Sequence, residues 1–216
     1  MQWSFGKPFV HPALLDRLLL RRAALRFAAH RWAVLPGSSH PARGSGAVEP
    51  GISTRRVATW WRRRPYPVLL VTGGSFDVLD VPAAVGLRAL GAIRLRADVL
   101  GPDVADGRGP VAVGPTGRWM FFVRPGLPLR PELANRLDVV RHARGSWVPA
   151  APSRLPEGVV RWAVSPGKVR WRPADAVAVQ ASLVEAVEAL GRHPARRRPA
   201  RRVIVPRQHS TSRRAG

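Results

Sequence analysis

The chain has 216 residues, 45% of them hydrophobic, which is enough for one domain with a sizeable core. Its 36 basic residues stand against 13 acidic ones, and the resulting formal charge of +23 repels itself and must be screened. Cysteine is absent, which excludes a disulfide framework and any cysteine-ligated zinc site and favours a cytoplasmic location.

The sequence pattern predicts an α+β fold in which a mixed sheet is flanked by helices. Five charged side chains between residues 14 and 29 exclude a membrane span in the first helix, and we expect no membrane partner. The predicted elements, in chain order, are a helix at 12–31, a strand at 32–36, a polar loop at 37–51, a helix at 53–63, strands at 67–72 and 76–81, a helix from 82 to about 90, a hairpin of 111–113 with 118–123, short strands at 137–140, 146–148 and 159–164, and a helix at 174–190.

The C-terminal segment differs in composition from the rest of the chain. Residues 192–216 contain nine arginines and no acid, with little to bury, so we expect an arginine-rich disordered tail after a domain at 1–191. Without this tail, 27 basic residues still face 13 acidic ones, so the folded part is basic by itself.

Arginine supplies nearly all of the positive charge, because only Lys7 and Lys168 are lysine. A GC-rich coding bias accounts for the choice of arginine over lysine but not for the scarcity of acids. The planar guanidinium matches phosphate geometry. The composition therefore favours a nucleic-acid partner, and an acidic protein would satisfy the charge equally well.

Asp77 and Asp80 stand in the otherwise apolar strand at 76–81. A two-metal site for phosphoryl transfer needs carboxylates that converge on the ions. Side chains three residues apart on a regular strand point to opposite faces, so a bulge would be needed to bring these two together. The alternative is that Asp80 caps the following helix while Asp77 meets an arginine.

Six segments together resemble the N-terminal primase–polymerase (prim-pol) domain of bifunctional DNA primase/polymerases, in the archaeo-eukaryotic primase superfamily. The resemblance runs from about Leu14 to Leu190 and follows the order of the family's landmarks. These segments are 32–36 (WAVLP), 54–61 (ending in WW), 71–73 (VTG), 78–81 (VLDV), 114–122 (GPTGRWMFF) and 147–153 (WVPAAPS). The resemblance implies a prim-pol fold and a role in DNA replication.

The active-site positions that the resemblance implies are largely altered. The family has a second acid two residues after the first, whereas Asp80 is followed by Val81 and Pro82. The family's nucleotide-binding histidine aligns with Trp119, and its third acid falls in 142–144, where none exists. Asp80 is thus the one remaining metal ligand, with Asp77 or Asp138 as possible substitutes.

We therefore predict a catalytically degenerate domain that binds nucleic acid, more specifically DNA, and uses no cofactor. Aromatic side chains interleaved with arginine suit base stacking with phosphate contact. The predicted contact residues are Trp60, Trp61, Arg62, Arg63, Arg64, Arg118, Trp119, Arg141 and Arg144. Trp32, Trp162 and Trp171 are predicted to lie in the core. The alternatives are an active DNA primase or polymerase that uses Mg²⁺ or Mn²⁺, and a protein-interaction module that keeps the fold.

Overall fold

The computed structural model describes residues 12–37, 51–63, 65–101 and 107–192. It confirms the α+β class. The helices are α1 (Pro12–Ala29), α2 (Thr54–Arg63), α3 (Ala83–Leu100), α4 (Pro131–Ala134) and α5 (Ala176–Gly191), with a 3₁₀ turn at Pro166–Val169. The strands are β1 (Val34–Pro36), β2 (Val68–Val71), β3 (Asp77–Val81), β4 (Val111–Val113), β5 (Trp119–Val123), β6 (Val140–His142), β7 (Trp147–Pro149), β8 (Arg154–Leu155), β9 (Gly158–Val159) and β10 (Arg161–Val164).

Two antiparallel sheets form the centre of the described structure. One has three strands in the order β1-β2-β7, and the other has five in the order β10-β4-β5-β3-β6. Strands β8 and β9 form a separate hairpin. A single parallel bridge joins Val123 to Ala174, at the approach to α5. In the five-stranded sheet, β3 lies between β5 and β6 and so is an internal strand.

The five-stranded sheet buries apolar side chains on both faces. On one face, Val78 and Phe122 pack in a cluster with α1, α2 and the three-stranded sheet. On the other face, Leu79 and Phe121 pack in a second cluster with α3 and α5. Because successive strand residues point to opposite faces, the two-residue alternation of β3 decides which side chain enters which cluster.

Helix α3 and strand β6 differ from the sequence prediction. Helix α3 was predicted to end near residue 90 but continues through Gly91 to Leu100. It continues because the residues after Gly91 favour helix. The strand predicted at 137–140 begins only at Val140, because residues 136–139 form a turn in which the Val139 amide donates to the Arg136 carbonyl.

One sequence prediction concerns a part of the chain that the structure does not describe. The arginine-rich tail, apart from Arg192, lies outside the described residues. Within the described residues, no helix is long and apolar enough to cross a membrane.

Helix α3 contains a matched pair of glycines that differ only in their surroundings. A Cβ at Gly86 would lie 2.5 Å from the Trp119 side chain, whereas a Cβ at Gly91 would meet nothing within 4 Å. We expect Gly86→Ala to destabilise the protein by about 1–3 kcal/mol through overpacking. Gly91→Ala should stabilise it by about 0.5–1 kcal/mol, because alanine loses less backbone entropy in a helix.

Urea denaturation followed by circular dichroism measures both effects, with each variant serving as the control for the other. A shift of both midpoints to higher urea concentration would show that the contact between α3 and β5 is looser than described.

Candidate functional site around Asp80

Asp80 lies near the end of β3, opposite Met120 on β5 and Val140 on β6. Its side chain is on the same face of the sheet as Val78 and is 17% exposed. Because hydrogen-bonded strands flank it on both sides, its position is fixed by the sheet. A side chain placed in this way can act as a rigid acceptor.

Arg118 holds the Asp80 carboxylate. Its Nε donates to Asp80 Oδ1 at 2.8 Å and its Nη2 donates to the Asp80 carbonyl at 2.9 Å. The third guanidinium nitrogen, Nη1, donates to the Asp138 carbonyl at 2.8 Å. A tight turn between Gly114 and Gly117 precedes Arg118 and sets its place at the start of β5. A fixed cation therefore bridges Asp80 and the turn before β6.

His142 contributes the other side chain beside Asp80. It lies opposite Val78 on the neighbouring strand, with Nε2 at 3.5 Å from Asp80 Oδ2. Its Nδ1 lies 3.0 Å from the Ser146 hydroxyl. Neither His142 nor Ser146 was predicted from the sequence to belong to this site. The register of β6 against β3 would have found His142, but the strand was predicted about three residues too early.

The end of β2 closes against the turn after β6. The Thr72 hydroxyl donates to the Ala143 carbonyl at 2.5 Å, and Gly73 lies against the backbone of Arg144. Gly73 has a φ of 85°, where a side chain is strained, and a Cβ there would overlap Arg144. The threonine–glycine turn that carries part of the family resemblance thus joins the two sheets next to Asp80.

Asp77 points to the opposite face of the sheet and meets an arginine, as predicted. Its Oδ2 accepts from Arg141 Nη2 at 2.7 Å and from the Gly126 amide at 3.1 Å. Its Oδ1 is buried and has no hydrogen-bond partner within the described residues. The prediction that Asp80 caps the next helix is wrong, because Pro82 takes the N-cap position of α3 and no side chain caps it.

Asp138 is held by a third arginine. Its two carboxylate oxygens accept from Arg136 Nε and Nη2 at 2.9 and 2.7 Å. The hydrogen bond from Arg136 lowers the pKa of Asp138 below its usual value. Each of the three carboxylates considered as a metal ligand is therefore paired with its own arginine.

The residues around Asp80 do not fit the pair of divalent cations that the family resemblance implies. Mg²⁺ requires several oxygen ligands, usually carboxylates and water. Here one oxygen of Asp80 already accepts from Arg118, and the next titratable group is the His142 imidazole. Within the described residues, no group of three or more His, Asp or Glu side chains could hold a metal ion.

The structure divides the predicted nucleic-acid contacts between buried and exposed positions. Trp61 is 0% exposed and donates from Nε1 to the Tyr66 carbonyl, so its assignment as a stacking residue is wrong. Trp119 packs on Gly86 of α3, on the face of the sheet opposite Asp80. The core assignment of Trp32 is correct, since it is 2% exposed.

Some of the arginines predicted to contact nucleic acid are paired with carboxylates, and others are exposed to solvent. Arg118 and Arg141 are paired with Asp80 and Asp77, whereas Arg62 and Arg144 are exposed. Trp60 is half-buried against the core on α2, which packs on α1 and β1. Arg64 and the side chain of Arg63 lie outside the described residues. The predicted contact surface is therefore not one continuous patch around Asp80.

The ion pair between Asp77 and Arg141 leads to a prediction about the stability of the protein. The Asp77 side chain is 2% exposed, so Arg141→Ala would leave a buried carboxylate without its countercharge. We expect a loss of about 3 kcal/mol in the free energy of unfolding. Arg136→Ala is the control, because the Asp138 side chain is 43% exposed and such pairs contribute at most about 1 kcal/mol.

Chemical denaturation of the two variants measures this difference. Equal and small losses would mean that water reaches Asp77 and that the pair is not needed for the fold.

The sequence that forms this site matches a model of a known protein family. A model described as the N-terminal domain of bifunctional DNA primase/polymerases matches residues 24–178, well over half of the chain. No protein in the curated set matches the chain significantly. The matched region extends from the second half of α1 into the start of α5 and includes Asp80, Arg118 and His142.

Proposed function

The chain belongs to the family of bifunctional DNA primase/polymerase N-terminal domains, and we propose that this protein binds DNA without transferring nucleotides. The observation that carries the proposal is the ion pair between Arg118 and Asp80. The proposal includes a cytoplasmic location, which the absence of cysteine supports.

The loss of transfer activity is argued from the positions of the carboxylates. Nucleotidyl transfer depends on positioning and on metal ions that neutralise the developing charge. Asp77 cannot assist Asp80 because it points to the other face of the sheet, where it bonds to Arg141. Asp138 presents its carbonyl, not its carboxylate, to Arg118. The Arg118 guanidinium therefore occupies the Asp80 carboxylate. Neither Asp77 nor Asp138 joins Asp80 to hold a metal ion, so we derive no metal-dependent step from these residues.

The retention of nucleic-acid binding is argued from charge. The arginines that pair with Asp77, Asp80 and Asp138 account for only a small part of the 36 basic residues. The remaining surplus gives a surface field that attracts polyanions at long range. Exposed Arg62 and Arg144 are part of this surplus.

A primer-synthesis assay with Mg²⁺ or Mn²⁺ tests the loss of activity. We expect no extension by the wild-type protein and no difference between it and Asp80→Asn, because Asp80 stabilises Arg118 instead of a cation. A catalytically active member of the family run in parallel shows that the assay works. Metal-dependent synthesis that disappears in Asp80→Asn would overturn the proposal.

Titration with a single-stranded DNA oligonucleotide at several salt concentrations tests binding. Each phosphate neutralised by an arginine should contribute about −0.7 to the slope of log K against log salt for a single strand. We expect a slope of several units and weak affinity at high salt. Absent or salt-independent binding would contradict the proposal and leave an acidic protein as the better partner.

A further inference from the structure

A cleft at the β10 edge of the five-stranded sheet, the edge opposite β6, is lined by aromatic and arginine side chains. It lies between α1 and the turn after β10 and has a volume of about 280 Å³. Phe27, Trp162 and Trp171 line it, and Arg22 and Arg26 stand at its edge. We call it the α1–β10 cleft.

This cleft is separate from the site around Asp80. Asp80 pairs with Met120, Met120 with Ala112, and Ala112 with Trp162, so three strand spacings lie between Asp80 and Trp162. At about 4.8 Å for each spacing, the two backbones are about 14 Å apart. A ligand of the cleft would not require the Asp80 carboxylate.

Trp171 is the centre of a stack of flat groups. The His30 ring lies parallel to it, with centroids 3.8 Å apart, and the Arg26 guanidinium carbon is 5.5 Å from its ring centroid. Trp162 packs against Phe27 at 6.2 Å. Both tryptophans are only half-buried. Unpaired bases stack on aromatic rings and on guanidinium planes, and this cleft offers both.

The backbone presents Trp171 in an unfavourable conformation. Arg170 and Trp171 have φ values of 52° and 62°, in the left-handed region that bulky residues rarely adopt. The turn is held by a 2.8 Å hydrogen bond from the Trp171 amide to the Pro166 carbonyl. Strained residues of this kind concentrate at ligand sites. The strain supports a role for the Trp171 side chain beyond filling the core.

Residues 17–31 and 160–172, which supply most of the cleft lining, contain no acid. Residues 17–31 contain five arginines, and residues 160–172 contain three arginines and Lys168. On β3, by contrast, Asp80 and Asp77 neutralise Arg118 and Arg141 on opposite faces of the sheet. Arg22 and Arg26 line the cleft beside Trp162 and Trp171, and no acid is among the residues that line it.

We propose that the α1–β10 cleft binds single-stranded DNA, with one unpaired base stacked among Arg26, Trp162 and Trp171 and the adjoining phosphate on Arg22. A cleft of this volume admits a single base but not a duplex. An acidic peptide would satisfy the arginines but would leave the aromatic walls without a flat partner. This inference rests on the proposed function, because it locates the DNA that the protein is proposed to bind.

Binding of a fluorescent oligothymidine to the full-length protein tests the proposal. Trp171→Leu should weaken binding about tenfold, because base stacking contributes about that much. The double variant Arg22→Ala, Arg26→Ala should also reduce the salt slope by about 0.7, because Arg22 holds one phosphate. The control is Arg55→Ala, Arg88→Ala, which removes two exposed arginines from α2 and α3 and should leave affinity within about twofold.

Photo-cross-linking of the wild-type protein avoids any folding defect of the variants. An oligonucleotide that carries 5-iodouracil should form adducts in the peptides that contain Trp162 or Trp171, located by mass spectrometry. Competition with polyglutamate of the same charge should be at least tenfold weaker than competition with the oligonucleotide.

The outcomes separate this inference from the proposed function. Wild-type protein that binds no oligonucleotide would overturn both. Wild-type binding that the cleft variants leave unchanged, with adducts only elsewhere, for example at Trp60, would overturn the cleft alone. Equal competition by polyglutamate would also overturn it, in favour of an acidic protein.

Discussion

The alternation of side chains along β3 is the constraint on which the site depends. Asp77 and Asp80 are three residues apart, and the strand is regular over its whole length, so the two carboxylates enter opposite faces of the sheet. Neither can share a ligand with the other. Each carboxylate is stabilised separately, by Arg141 on one face and by Arg118 on the other.

The scarce acids of this chain act as internal countercharges. Arg118 joins the end of β3 to the turn before β6, and Arg141 neutralises a carboxylate that is almost fully buried. A buried carboxylate without its partner would be costly, so these pairs support the sheet. Beside Asp80, the fold itself supplies a positive charge, the guanidinium of Arg118.

The fold was largely predictable from the sequence because hydrophobic periodicity and turn residues are local signals. They placed α1, α2 and α5 and most strands within a few residues, whereas α3 was predicted to end near residue 90 and continues to Leu100. The site was less predictable. Asp80 meets Arg118 across 38 positions and His142 across 62, and only the strand register brings them together.

Solvent exposure was the other property that sequence adjacency could not supply. Trp60 and Trp61 are neighbours beside the same arginines, yet helical geometry buries Trp61 completely and leaves Trp60 half-buried. Trp162 and Trp171 were predicted to lie in the core; both pack against the core cluster, but they are only half-buried and line a cleft. A Trp–Arg pattern therefore indicates a surface chemistry without indicating which rings are accessible.

The near-complete use of arginine has a consequence for regulation. Acetylation removes positive charge from lysine ammonium groups and leaves guanidinium groups charged. Within the described residues the protein offers Lys168 alone to an acetyltransferase, at the turn next to the cleft. Of the 36 basic residues, only Lys7 and Lys168 are therefore open to lysine acylation, and Lys168 lies in the turn that adjoins Trp171.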